Sequence, residues 1–369
     1  MQDLALNWLV NQIPNYTAAS ENCGLWCTDE NLTGALPTGE LLKTLLLITN
    51  RWDLYQEALE LNFNAEFSDF DLTPIADESL DYVCYRVSKE KPIVHHVLNE
   101  AWRCLKPQGK LLLSGHKNEG IKTYIEKTAK LLGCSKNIQK NTTAYNATLN
   151  KQNPYDATMR LDDNNYKVLR ALNTASTKTP ESTNLSVNLP HIDTKPGLFG
   201  WNKIDQGSAF LIEQLPGLFS SWSQPPRSCL DLGCGYGYLS LAAAQLDACG
   251  TIEHWHMTDN NAAALRAATH NAQGNGLNAE ITATDCADKL QLKVDLILCN
   301  PPFHLGFSQS GDLTDKFLAA AQRLLSAQGT AIFVVNQFIP LERKAAGRFA
   351  QITTLADNGS FKVIRLSHQ

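Results

Sequence analysis

The chain has 369 residues, 43% of them apolar and 19% charged, with a formal net charge of −5, the profile of a globular protein too long for one hydrophobic core. Met1 to Val10 lacks the basic start and apolar centre of a secretory leader, and no run reaches the roughly 18 apolar residues of a membrane span. A cytoplasmic protein without a membrane partner is therefore expected.

Residues 1–40 show little periodicity beyond a short helical pattern from Asp3 to Ile13. Leu41 to Asn50 contains an apolar strand, Trp52 to Leu61 reads as a helix, and Leu80 to Val87 as a second strand. Ile93 to Leu105 is a helix for which Gly109 is the expected stop signal, and Lys110 to Ser114 is a third strand. In the helix from Gly120 to Leu132, Ile121, Ile125, Ala129 and Leu132 share one face, while Lys122, Lys127 and Lys130 lie off it. Such alternation specifies an α/β fold with a parallel sheet of βαβ units. Charge is uneven here: residues 1–85 hold 2 Lys/Arg against 14 Asp/Glu, and residues 86–151 hold 13 against 4. The basic segment is either a face for phosphates, with Lys122, Lys127 and Lys130 as RNA contacts, or half of a domain that neutralises its other half.

The plan then repeats. Arg103 to Leu112 lines up with Arg323 to Ile332, Asp81-Tyr-Val-Cys84 with Asp295-Leu-Ile-Leu298, and Tyr166 to Arg170 with Phe361 to Arg365, the last pair being the expected closing strand of each copy. Three matches in one order suggest a duplicated domain: residues 1–171, a Thr-, Ser- and Pro-rich linker at 172–190, and residues 191–369. The copies differ at one turn. The second has Asn300-Pro301-Pro302-Phe303 where the first has Tyr85-Arg86-Val87-Ser88, and the first copy's opening strand leads into Asn50-Arg51-Trp52-Asp53 without a glycine. The first domain is expected to keep the fold and lack the site.

In the second copy, Val294 to Cys299 is an apolar strand stopped by that turn, so Asn300 stands at a strand's carboxyl end, where open α/β sheets bind ligands. Asp231-Leu-Gly233-Cys-Gly235-Tyr-Gly237 follows another strand and opens a helix. That arrangement lets backbone approach a ligand at a helix N-terminus, although alone it also suits a tight turn or a dinucleotide site. Asp259 closes the next strand and suits a ribose diol, and Asp285 follows a third strand and could border an adenine. Most of the ten cysteines sit singly in apolar runs, as Cys84, Cys229 and Cys299 do, and read as reduced thiols; no metal site is expected.

The glycine loop, Asp259, Asp285 and Asn300 to Phe303 together resemble the class I S-adenosylmethionine-dependent methyltransferases that act on exocyclic amines, and more closely the bacterial ribosomal RNA guanine-N2 methyltransferases of the RsmC/RlmG type. Lys195 to Ser208 is similar to that family's segment leading to the cofactor pocket, which adds Phe199, Asp205, Gly207 and Ser208 to the cofactor set. The ending Gly359 to Arg365 leans towards the small-subunit members. The resemblance implies two tandem Rossmann-like methyltransferase domains with the amino-terminal one degenerate, S-adenosylmethionine as cofactor, and a monomer whose partner is ribosomal RNA or a ribosomal subunit.

For guanine N2, whose lone pair is delocalised into the ring, the expected roles are Asn300 and the Pro301 carbonyl as acceptors of the amine hydrogens, Pro302 as rigidifier and Phe303 as stacking partner. The same turn suits adenine N6 in DNA, a protein glutamine, or a guanine of the large subunit. A non-catalytic ribosome-assembly protein of the same fold is the reading from another class. A nicotinamide dehydrogenase is disfavoured by the glycine spacing.

Overall fold

Apolar runs of five to seven residues become buried strands, and the amphipathic stretches between them become covering helices, in a computed structural model of the chain. The structure describes residues 3–17, 22–29, 32, 34–37, 45–172, 190–220, 222, 224–302 and 307–368. The chain forms two compact units, Met1–Val168 and Leu169–Gln369. No helix among the described residues is long and apolar enough to cross a membrane.

The first unit runs α1 (Leu4–Gln12), α2 (Pro14–Thr17), β1 (Gly24–Thr28), β2 (Leu45–Thr49), α3 (Trp52–Glu60), β3 (Asn64–Phe67), β4 (Leu80–Arg86), α4 (Lys91–Cys104), β5 (Leu105–His116), α5 (Ile121–Leu132), β6 (Gln139–Asn141) and β7 (Ala144–Asn150). The second runs β8 (Arg170–Ala171), β9 (Asp193–Thr194), α6 (Gln206–Phe219), β10 (Ser228–Leu232), α7 (Tyr238–Ala244), β11 (His254–Asp259), α8 (Ala262–Gly274), β12 (Ala279–Ala283), β13 (Val294–Cys299), α9 (Phe307–Leu324), β14 (Leu325–Asn336), α10 (Leu341–Ala345), β15 (Gln351–Asp357) and β16 (Phe361–Ser367). The sheet orders are β3-β2-β1-β4-β5-β7-β6 and β12-β11-β10-β13-β14-β16-β15, the last two strands of each being antiparallel to their neighbours. This is the expected α/β class with two Rossmann-like sheets. Central strands such as β4 and β13 are almost wholly buried, as parallel strands between helices must be.

The registers allow the two copies to be compared residue by residue. Leu80 pairs with Leu105 and Tyr82 with Lys110 across a bulge; Val294 pairs with Leu325 and Leu296 with Thr330 across the same bulge. Gly109 and Gly329 lie in these bulges. They are not the helix stops expected, since α4 ends at Cys104 and α9 at Leu324 with a strand beginning at the next residue. A Cβ on Gly109 would lie 2.8 Å from the Lys106 carbonyl oxygen, so close backbone approach, not helix termination, selects glycine there.

Three further expectations are corrected. Carried along β4, the register places Arg86 where Asn300 stands, so the match of Tyr85 to Asn300 is one residue out. The first copy's counterpart of β10 is β1, not the strand before Asn50, and the stretch after β1 does contain a glycine, Gly34, at φ 77°. Tyr166 to Arg170 is not the closing strand: β7 pairs with β5 as β16 pairs with β14. Tyr166 is instead buried with its hydroxyl donating to Asp69 at 2.7 Å, and Arg170 pairs with Thr194 in the small β8–β9 ladder. Residues 173–189 of the expected linker lie outside the described residues.

Candidate active site

The second sheet brings three strand ends together in the order β11, β10, β13. After β10 the chain turns through Gly233, Gly235 and Gly237 at φ 80°, 56° and 92°, a left-handed region open to glycine and strained for other residues. The Gly233 and Cys234 amides donate to the Thr258 carbonyl, and the Gly235 amide donates to Asp259 Oδ2 at 2.9 Å, which ties the loop to the end of β11. Asp259 Oδ1 accepts from the Asn261 amide, also at 2.9 Å. A Cβ on Gly237 would lie 2.6 Å from Met257 Cε, whereas one on Gly235 would meet nothing within 4 Å. Gly237 is thus selected chiefly by its left-handed φ, since only the flexible end of Met257 would have to shift for a side chain, and Gly235 faces open space.

Asp231 is not at the rim. It is fully buried on β10, and its Oδ2 accepts from the amide and hydroxyl of Ser240 at 3.1 and 2.9 Å, so it fastens the first turn of α7 to the sheet. Burial pushes its pKa up to about 7 against the Ser240 bonds, with the Asp259 charge adding to the rise. Asp285 is ion-paired with Lys316 of α9 at 2.8 Å.

Asn300 follows β13 directly. Its Nδ2 donates to Asp205 Oδ2 and to Ser208 Oγ, each at 2.8 Å. Asp205 is the N-cap of α6 and also accepts from the Ser208 amide, so the start of α6 and the end of β13 share one carboxylate. Both amide hydrogens of Asn300 are spent inside the protein, which leaves its Oδ1 as the group for a ligand. Gly207 is buried beside them; a Cβ there would lie 3.1 Å from the Phe361 ring. Pro301 is buried and Pro302 exposed, while Phe303 lies outside the described residues. Phe199 is 59% exposed on the loop before α6.

A nucleoside cofactor fits these groups. The loop offers backbone at Gly235 with no side chain above it, beside the half-buried Asp259 carboxylate.

Residues 190–365 match the Methyltransferase small domain family. The chain is 28% identical over 302 residues to the ribosomal RNA small subunit methyltransferase C of Hahella chejuensis (strain KCTC 2396), covering 79% of each chain. Against the same enzyme of Shewanella halifaxensis (strain HAW-EB4) it is 28% identical over 296 residues, covering 78% of this chain and 77% of the other. The structure of the T. thermophilus 16S rRNA N2 G1207 methyltransferase (RsmC) in complex with AdoMet and guanosine shares the fold with a TM-score of 0.78 at 21% identity, over 97% of this chain and 92% of that one. The matching family model, the relatives and the fold all make the chain similar to RsmC-type methyltransferases.

Sequence reasoning missed Ser240 and Lys316. Ser240 and Lys316 are ordinary helix residues whose importance rests on long-range partners.

Proposed function

We propose that the protein methylates the exocyclic N2 amine of a guanine in 16S ribosomal RNA, using S-adenosylmethionine. The observation that carries this reading is the orientation of Asn300: with Nδ2 held by Asp205 and Ser208, only Oδ1 can meet an incoming group, and that group must be a hydrogen-bond donor such as an amine. The names of the relatives supply the choice of guanine and of the small subunit.

The cofactor, when bound, supplies an electrophilic methyl. The chain's own residues do the rest. Asn300 Oδ1 and the Pro301 carbonyl accept the two amine hydrogens, which turns the nitrogen lone pair out of conjugation and holds it in line for transfer. Pro301 and Pro302 keep the carbonyl in one orientation. Asp259 and the backbone at Gly235 hold the ribose end of the cofactor, Asp285 borders its base, and Asp231 acts through the loop it fastens. Phe199 and the segment to Ser208 complete the cofactor set, and stacking on the base is the role assigned to Phe303. The amine becomes acidic only after methylation and then loses its proton to water, so no strong general base is needed.

Purified protein incubated with 16S RNA and labelled cofactor tests the reading. N2-methylguanosine in the digested RNA supports it, and label in adenine or in protein instead would move the reading to another amine.

A further inference from the structure

The first unit keeps one end of the pocket assigned to the cofactor's base, and the chain fills it with a side chain of its own. Strand register fixes the correspondence. Thr49 of β2 pairs with Phe67 as Asp259 of β11 pairs with Ala283, so Asp69 stands beyond β3 where Asp285 stands beyond β12. The local backbone agrees. The Ser68 amide donates to the Thr49 carbonyl as the Thr284 amide donates to the Asp259 carbonyl, and Phe70 and Cys286, the residues after the two acids, take left-handed φ of 50° and 48°. The neighbouring helices correspond as well. Both α4 and α9 run directly into a strand, and His96 holds the place in α4 that Lys316 holds in α9, counted back from Cys104 and Leu324.

The two acids have different partners. Asp285 holds Lys316 Nζ at 2.8 Å. Asp69, buried, accepts from the Tyr166 hydroxyl at 2.7 Å, and the Tyr166 ring lies 4.9 Å from the His96 ring at an interplanar angle of 31°. An aromatic ring with a hydrogen-bond donor on its edge thus sits against the acid, where the second unit is assigned the adenine and its amino group. Tyr166 is the one buried residue of 152–168, a stretch without helix or strand. Asn164 and Asn165, at φ 54° and 51°, turn the chain just before it, in a conformation that asparagine tolerates better than most residues. The stretch is fastened to α4: Asn99 exchanges two hydrogen bonds with the backbone of Leu161, at 2.8 and 2.9 Å, and His95 Nδ1 donates to the Asp162 carbonyl at 2.6 Å.

We propose that the strap 155–168 is a built-in ligand, with Tyr166 occupying a pocket whose chemistry suits a planar ring bearing one hydrogen-bond donor, of the phenol class. The Asp69 carboxylate supplies the acceptor and the His96 ring supplies the stacking face. The proposal rests on the reading that Asp285 borders the cofactor's base, and adds what takes that place in the first unit. It accounts for how this unit closes its strand ends without a cofactor: the contacts that a bound base would bring come from a tethered ring. Tethering gives that ring a high effective concentration, which keeps the pocket shut against competitors from solution.

Cavity replacement tests the proposal. Tyr166→Ala in the full-length chain removes ring and hydroxyl together, and phenol is the probe, because engineered cavities take up small aromatic molecules. Calorimetry should show one phenol bound per chain of the variant and none by wild type, and phenol should raise the melting temperature of the variant towards that of wild type. Benzene, which lacks the donor, should bind about tenfold more weakly than phenol. Tyr166→Phe keeps the ring and should bind neither. If Tyr166→Ala does not fold alone, phenol present during refolding should restore the folded chain. No phenol binding by the folded variant, no recovery of an unfolded one, equal binding by wild type, or benzene binding as tightly as phenol overturns the proposal. S-adenosylmethionine should bind once per chain in wild type and in Tyr166→Ala alike, since Thr49 stands where the ribose carboxylate Asp259 does. Unchanged S-adenosylmethionine binding by Asp285→Ala would remove Asp285 from the base and leave the phenol result standing, so the two readings fail separately.

Discussion

Asn300 Nδ2 lies 2.8 Å from Asp205 Oδ2, joining the turn after β13 to the N-cap of α6 across 95 positions of sequence. Asp205 also carries the Ser208 amide, so one carboxylate caps a helix and sets the direction of the Asn300 amide. Asp205→Ala should cost about 1 kcal/mol of stability through the lost cap. It should also lower kcat about a hundredfold, by freeing Asn300 to rotate. Calorimetric cofactor binding should change far less than kcat; equal loss of both would make Asp205 a cofactor residue only.

Asp259 holds the loop amide at Gly235 and the Asn261 amide together. Asp259→Ala should weaken cofactor binding at least about tenfold, through the lost ribose acceptor and a loosened loop. Calorimetry reads the change directly, and unaltered binding would remove Asp259 from the ribose.

Gly235 and Gly237 should fail in different ways. Alanine at 237 takes a strained φ of 92° and displaces the end of Met257, so it should lower the melting temperature more than alanine at 235. Alanine at 235 has room and should cost only about 1 kcal/mol for its left-handed backbone. Its methyl enters the space assigned to cofactor, so binding should be lost while the fold persists. Thermal melts with and without cofactor separate the two outcomes.

Asp231 gives a pH signature. Its folded pKa of about 7 stands above the ordinary value of 3.8, so between those values the folded state binds the extra proton. Its contribution to stability is complete below pH 3.8, is lost as pH rises towards 7, and is level beyond, a change on the order of 4 kcal/mol. The groups facing it are Asp259, Cys229, Cys234 and Cys299, and burial keeps those thiols neutral in this range. Asp231→Asn should remove this fall. Urea midpoints at about pH 5 and pH 8, either side of the folded pKa, test it, and an identical decline in both proteins would contradict the assignment.

The candidate site is legible in sequence because its parts are local: a glycine loop, a strand-end acid and a proline-stopped turn each announce themselves within a few residues. The first copy is harder to read because identity there depends on partners. β1 is five residues long and flanked by little periodicity, yet it is the central strand because β2 and β4 pair on either side. Tyr166 resembles a strand residue and is fixed instead by Asp69, 97 positions away. The glycines at 109 and 329 look like helix stops because the bulge that needs them exists only when the neighbouring strand is in place. Asp231 looks like a rim carboxylate for a similar reason, since its partner Ser240 is on the following helix.

The central claim is that Asn300 presents an acceptor to a guanine amine. The direct measurement is mass spectrometry of nucleosides from 16S RNA after reaction with purified wild type and with Asn300→Ala, both confirmed by calorimetry to bind S-adenosylmethionine. The account predicts one N2-methylguanosine with wild type and a loss of at least about a hundredfold in the variant. Wild-type levels of N2-methylguanosine from Asn300→Ala would contradict it.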